Sequence, residues 1–163
     1  MTYQELISTK QHNYISYTDL LGCDEWNNKR NKIKERDNQK CKKCDKKKSL
    51  MILSNSKPIY FKKHDGEIIE DKTPTRLEVH HKLYVLNKLP WEYEDDDLMT
   101  VCNKCHEEIH KNEEIHVFDE SKNHIIQTER CTRCGGSGFL PEYDHVEDGI
   151  CFKCRGVGRN IPI

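Results

Sequence analysis

The chain has 163 residues, 34% of them hydrophobic and 34% charged, with a formal net charge of −1 at pH 7. Even with glycine added, the apolar share of about 39% is below the roughly 45–50% of ordinary soluble domains, which excludes a large self-sufficient core and favours metals or disulfides as a supplement. No apolar run approaches the ~20 residues of a membrane span, so a membrane protein is excluded and a soluble, cytoplasmic protein is expected.

The first third of the chain predicts an N-terminal arm over residues 1–22 and then a helix. Acidic residues begin that helix, and Trp26 and Ile33 lie on one of its faces. We expect the helix to end near Asp37, shortly before the first cysteine pair.

Strand signals dominate the middle of the chain. Residues 50–76 predict an inserted hairpin that turns at Asp65-Gly66, and residues 77–84 predict a further strand. A helix is expected over 104–112, and a linker hairpin over 113–128.

Eight of the nine cysteines form four Cys-x-x-Cys pairs, which is zinc-knuckle spacing and makes two complete tetrathiolate sites. Disulfides are the weaker interpretation, because the first residues do not have the pattern of a signal peptide and we expect a reducing interior, which keeps thiols free. The first predicted structural zinc site consists of Cys41, Cys44, Cys102 and Cys105, and the second of Cys131, Cys134, Cys151 and Cys154.

Histidines add a candidate reactive site. His80 and His81 are adjacent on a predicted strand, and His106 and His110 lie at i and i+4 on a predicted helix. Neighbours on a strand point to opposite sides, so His80 and His81 cannot easily bind the same ion. This arrangement suits a divalent metal with one imidazole left for proton transfer.

Basic residues are concentrated between residues 29 and 48, with eleven Lys or Arg against three acidic residues. Some of them can offset the formal −2 of a zinc tetrathiolate, but the remainder predicts a phosphate-contact face. The predicted contacts to nucleic acid are Lys29, Arg30, Lys32, Arg36, Lys42, Lys46, Lys47 and Lys82.

Residues 24–110 resemble the HNH endonucleases, specifically the zinc-containing subset with a ββα-metal fold. The resemblance covers about half the chain, and its joint pattern is specific. It is carried by Trp26, Arg30, Arg36-Asp37-Asn38, Cys41 and Cys44, Val79-His80-His81, Pro90-Trp91-Glu92-Tyr93, and the run from Leu98 to His110.

The resemblance implies a role for each histidine. His80, His106 and His110 would hold a catalytic metal, and His81 would be the general base that activates water. Mg²⁺ or Mn²⁺ is usual in the family, whereas three imidazoles favour Zn²⁺ or Ni²⁺.

Two departures from the family pattern are visible. Asp97, sixteen residues after His81, stands where the family has a bracing asparagine; it can accept the same bonds or orient a histidine. Thirty-five residues separate Cys44 from His80, more than in compact members, and this excess contains the inserted hairpin.

Residues 129–163 contain two copies of Cys-x-x-Cys-x-Gly-x-Gly and resemble half of the zinc domain of DnaJ-type chaperones. A His-Pro-Asp J-domain signature is absent from the sequence, so this segment is expected to be an appendage that contacts nucleic acid or a protein partner.

The predicted fold is α+β: a small ββα-metal nuclease domain over 23–112, clamped by one four-cysteine zinc site, followed by an irregular glycine-rich zinc-binding tail. The predicted function is metal-dependent hydrolysis of DNA, with double-stranded DNA as the expected partner, two structural Zn²⁺ ions and one catalytic divalent ion. Three alternatives remain open: a non-catalytic zinc module that binds nucleic acid or protein, a degenerate nuclease, and a structural zinc site made by the histidines.

Overall fold

The computed structural model describes residues 1–10, 15, 17–143, 146 and 149–160. Over these residues the chain is a small mixed α+β protein, as predicted, with three small sheets. No helix in the described part of the chain combines the length and apolarity needed to cross a bilayer. The helices are α1 (Tyr3–Lys10), α2 (Tyr17–Leu21), α3 (Asp24–Arg36) and α4 (Asn103–Asn112); the strands are β1 (Leu50–Ser54), β2 (Lys57–His64), β3 (Glu67–Glu70), β4 (Leu77–His81), β5 (Tyr84–Val85), β6 (Leu98–Cys102), β7 (Val117–Phe118) and β8 (Ile125–Ile126).

The centre of the fold is the antiparallel pair β4–β6, in which His80 lies opposite Met99. Helix α3 packs on this pair, as does α4, which follows β6 without a loop. Because strand residues alternate between faces, His80 is directed to α4, whereas His81 is directed to α3, where it stacks on Trp26.

A buried carboxylate joins α3 to β6. Asp37, at the C-terminus of α3, accepts a 2.8 Å hydrogen bond from the Thr100 backbone N–H and pairs with Arg36 at 2.9 Å. Burial raises the pKa of Asp37, but the bonds from Arg36 and Thr100 outweigh it and hold the pKa below its usual value. The ionised carboxylate therefore fixes the helix against the central strands.

We expect Asp37→Ala to lower the free energy of unfolding by about 1–3 kcal/mol, because a buried N–H loses its acceptor. Urea denaturation of the zinc-loaded protein measures this change. Asp24→Ala is the matched control, since Asp24 is an exposed partner of the N-terminus. Equal losses for the two variants would contradict this role of Asp37.

The insertion between the first cysteine pair and β4 is a three-stranded sheet, β1–β2–β3. The hairpin at Asp65-Gly66 is present, and a second two-residue turn at Asn55-Ser56 adds β1. All four turn residues have positive φ, as type I′ hairpin turns require. Large hydrophobic side chains are exposed on this inserted sheet. Where the sheet joins the rest of the chain, Ser49 Oγ donates a hydrogen bond to Asp71.

The C-terminal part is attached to the core. β5 pairs in parallel with β7, which pairs antiparallel with β8, so the predicted 113–128 hairpin is present with one further strand beside it. Val157, from the finger (the described residues between 129 and 160), packs in the same buried cluster as Tyr84, Ile109 and Ile115.

Candidate metal centre

The first cysteine cluster links the loop after α3 to the start of α4. The Sγ atoms of Cys41, Cys44, Cys102 and Cys105 lie within 4.8 Å of one another, and Cys44 Sγ is 3.7 Å from Cys102 Sγ. Tetrahedral zinc with bonds of about 2.3 Å places sulfurs ~3.8 Å apart, whereas a disulfide needs ~2.05 Å.

The thiols in this cluster differ in how readily they lose a proton: burial raises the pKa of Cys44 and of Cys105, whereas the pKa of Cys41 is lowered. Burial raises the pKa of Cys41, but hydrogen bonds from surrounding backbone N–H groups outweigh it and lower the pKa to about 7. The thiolate is the form that binds metal, and four sulfurs at the edge lengths of a zinc tetrahedron fit a structural zinc ion.

The second cysteine cluster is built from the two glycine repeats. The Sγ···Sγ distances are 3.9 Å for Cys131–Cys151 and 3.6 Å for Cys134–Cys154, again the edge lengths of a zinc tetrahedron. The repeats pack reciprocally: a Cβ on Gly138 would be 2.2 Å from the Gly156 carbonyl oxygen, and one on Gly158 would be 2.2 Å from that of Gly136. Glycine is therefore required sterically in both copies, and the two clusters fit two structural zinc ions.

A third group of residues that could hold a metal ion consists of His80 on β4 and of His106 and His110 on α4. One nitrogen of each lies within 4.8 Å of the others, and the Nε2 atoms of His106 and His110 are 3.2 Å apart. Two nitrogens on a tetrahedral ion at ~2.05 Å would be about 3.3 Å apart. We call this set the three-histidine group.

Glu78 supports the group, although the sequence pattern did not single it out. Its Oε2 accepts a 2.6 Å hydrogen bond from Nδ1–H of His106. A carboxylate accepts only, so the neutral tautomer of His106 that makes this bond has its lone pair on Nε2, the nitrogen that faces His110. Burial raises the pKa of Glu78, but the bond from His106 outweighs it and brings the pKa below its usual value. Its sequence signal was the i−2 position relative to His80, which places both side chains on the α4 face of β4.

Two nitrogens of this group are buried without a partner among the described residues: Nδ1 of His80 and Nδ1 of His110. Burial and the adjacent histidines lower the pKa of His80 to about 2 and that of His110 to about 3. Both rings are therefore neutral, which is the metal-binding form. The residues fit a divalent cation.

His81 lies outside the three-histidine group, on the opposite face of β4. It is 4% exposed and contacts the rings of Trp26, Tyr84 and Tyr93. Its Nε2–H donates to the Pro90 carbonyl oxygen at 3.2 Å, and because that oxygen only accepts, Nδ1 carries the lone pair. Burial lowers the pKa of His81 to about 4.

Asp97 closes the loop between β4 and β6. Its backbone carbonyl accepts from the Lys82 N–H at 2.8 Å, and its carboxylate pairs with Lys122 at 2.7 Å. The side chain thus braces the loop against the turn before β8 instead of contacting the three-histidine group.

The eight cations predicted to contact nucleic acid fall into two sets. In the larger set the side chains are bonded within the protein; for example, Lys29 and Lys32 each lie 2.7 Å from the Asp95 carboxylate. The smaller set is exposed, and its side chains form no ion pair within the described part of the chain. The bonded set is Lys29, Arg30, Lys32, Arg36 and Lys82, and the exposed set is Lys42, Lys46 and Lys47.

Comparison of the chain with protein families, with curated proteins and with solved structures gives no match. Its function must therefore be inferred from the residues and from their geometry.

Proposed function

We propose that this protein is a metal-dependent endonuclease of the HNH type that hydrolyses DNA phosphodiester bonds. The observation that carries the proposal is the three-histidine group on a strand–strand–helix unit, with His81 next to it in sequence. The finger would be a DnaJ-type half-domain. Eight thiols used as zinc ligands are expected of a reducing compartment such as the cytoplasm.

Metal identity follows from the donor atoms. Three imidazoles favour Zn²⁺ or Ni²⁺ over the oxygen-preferring Mg²⁺ and Mn²⁺. Bound there, a divalent ion would supply positive charge to offset the negative charge that develops on the phosphate and the leaving oxygen. Three protein donors would also leave room for phosphate, whereas structural zinc sites use four.

His81 is the candidate general base. Its neutral ring has Nε2–H held by Pro90 and a lone pair on Nδ1 that can accept a proton from the attacking water. As the water oxygen bonds to phosphorus, the bond to the leaving oxygen breaks, and that oxygen takes a proton from solvent. Because His81 is 4% exposed, groups around the ring other than Pro90 must move when substrate binds.

DNA would approach across the exposed set of cations beside the first cysteine cluster. Lys42, Lys46 and Lys47 provide contacts to backbone phosphates without reading the sequence. The cations bonded to Asp95 would serve mainly to hold α3 against the loop before β6.

The test is incubation of supercoiled plasmid with the protein and Zn²⁺, Ni²⁺, Mn²⁺, Mg²⁺ or EDTA. We expect nicked or linear product that EDTA suppresses and that His106→Ala loses. His124→Ala is the matched control, because His124 is exposed and bonded only to residues of its own turn. Absence of cleavage with every metal would overturn the proposal.

One observation favours the alternative of a non-catalytic zinc module. His80, His81 and His110 are all buried, as expected if the third metal were structural. Retardation of DNA on a gel without cleavage, together with a third tightly held zinc ion, would support this alternative.

Glu78→Gln tests the metal centre without relying on cleavage. The glutamine side chain is uncharged, so it cannot accept a charge-assisted hydrogen bond from His106. We therefore expect the affinity of the three-histidine group for Zn²⁺ or Ni²⁺ to fall by about 10–100-fold. Competition with a chromophoric chelator measures this affinity. Glu107→Gln is the control, since Glu107 is exposed on α4 and pairs with Lys111; the same affinity in both variants would remove Glu78 from the site.

A further inference from the structure

The tips of the two knuckles in the finger meet on its surface. Lys153 Nζ donates to Thr132 Oγ1 at 2.6 Å, and the Arg133 guanidinium lies 4.0 Å from the centre of the Phe152 ring. Phe152 is 62% exposed, and the other three side chains are exposed too. We call these four residues the knuckle-tip platform.

Among the residues that the structure describes, the finger is attached to the rest of the protein through positions outside the platform, and the four platform side chains stay exposed. Val157 is buried in the core cluster. Arg130 donates to the Lys111 carbonyl, and Arg159 pairs with Glu114 at 2.9 Å.

Zinc binding explains only part of this platform. Basic residues near a tetrathiolate offset its formal charge. Lys43 in the first cluster stands at the same position of its Cys-x-x-Cys pair as Arg133 does in the finger. Lys43, however, also pairs with Glu113. Arg133 has no carboxylate partner in the described part of the chain. Charge compensation also gives no reason for the exposed ring of Phe152.

The exposed ring of Phe152 and the cations beside it have the chemistry of a base-stacking site. An exposed aromatic ring stacks on any unpaired base, and a guanidinium fixed on the ring keeps its N–H groups free for phosphate. Both charged residues of the platform are cations, so the platform complements a polyanion. Bases inside a duplex are already stacked, which makes a single strand the better ligand.

We propose that the knuckle-tip platform binds single-stranded nucleic acid, with an unpaired base on Phe152 and flanking phosphates on Arg133 and Lys153. This binding is separate from cleavage, because the platform residues belong to the finger and none belongs to the three-histidine group. The full chain would then have two nucleic-acid contacts of different kinds.

Fluorescence anisotropy of the full zinc-loaded protein with a labelled 15-residue oligothymidylate tests the proposal, and a denaturing gel checks that the probe stays intact. We expect Phe152→Ala and Arg133→Ala each to weaken binding about 5- to 150-fold, since loss of one stacked base has an effect of this size. Phe152→Trp should retain binding. Labelled oligouridylate compares RNA with DNA, and a labelled 15-base-pair duplex should respond little to either alanine variant.

Leu53→Ala is the control for loss of an exposed apolar side chain, because Leu53 is 71% exposed on the inserted sheet. Zinc content is measured for every variant, so that a disrupted finger is recognised. Unchanged oligothymidylate binding in Phe152→Ala and Arg133→Ala, with zinc retained, would overturn the proposal. A labelled polypeptide, reduced and unfolded, is tested in the same way. If the two alanine variants lost binding to this polypeptide but not to oligothymidylate, the partner would be protein and the proposal would be overturned.

Discussion

Replacement of Cys102 by serine is expected to leave the protein unfolded at 25 °C. Structural zinc contributes about 10–16 kcal/mol in small zinc domains, which is comparable with the ~5–15 kcal/mol net stability of a whole domain. Cys102 ends β6 and caps α4 through the bond from the Cys105 N–H to its Sγ. Loss of its thiolate therefore disrupts the cluster and releases the helix that carries His106 and His110.

Far-UV circular dichroism and elemental analysis measure this effect, and EDTA added to the wild-type protein should reproduce it. Cys23→Ala is the matched control, because Cys23 is equally buried but lies outside both clusters and only donates to the Asp19 carbonyl at 3.4 Å. The control should keep its helicity and both structural zinc ions. A folded Cys102→Ser variant with full zinc content would contradict the assignment of this cluster as the main support of the fold.

Local signals in the sequence are sufficient to predict much of the fold. The helix predicted over 24–37 corresponds to α3, and the one predicted over 104–112 corresponds to α4. Asp65-Gly66 predicts its hairpin because few dipeptides tolerate positive φ at both turn positions. Two-residue cysteine spacing similarly predicts both clusters, since it is imposed by the size of the metal.

Long-range pairing could not be predicted in the same way. The β5–β7 pair joins two-residue strands separated by more than thirty residues, and neither strand is long enough to have a periodic pattern. The bond from Thr100 to Asp37 is equally invisible in sequence. The Lys29 and Lys32 pairs with Asp95 show why a run of cations cannot be assigned to phosphate from composition alone.

Some features of the histidines could be predicted from the sequence, and others could not. The i, i+4 spacing of His106 and His110 predicts a shared helix face, and the structure brings these residues together with His80. Strand alternation also predicts that His81 points away from His80. The aromatic cluster around His81 depends on residues from α3 and from the long loop before β6, so no local pattern could predict its burial.

His81→Gln is the sharpest test of the proposed chemistry. The amide nitrogen of glutamine can keep the hydrogen bond to Pro90, but the side chain has no basic nitrogen for the proton of water. If His81 is the general base, plasmid cleavage should fall by roughly 10²–10⁴ while the affinity of the three-histidine group for metal stays unchanged. His81→Ala should lower cleavage equally and also lower stability, since it leaves a cavity among Trp26, Tyr84 and Tyr93.

Comparison of these variants with His80→Ala separates the two roles. His80→Ala should lose metal affinity and cleavage together, because His80 belongs to the three-histidine group. His81→Gln should lose cleavage alone, and its thermal midpoint should stay within a few degrees of the wild-type value. Full cleavage by His81→Gln would exclude His81 as the base and would leave the ring as a packing residue between α3 and the loop at Pro90. In that case, the proton of the attacking water would have to be accepted by solvent, at the edge of the three-histidine group where His106 is partly exposed.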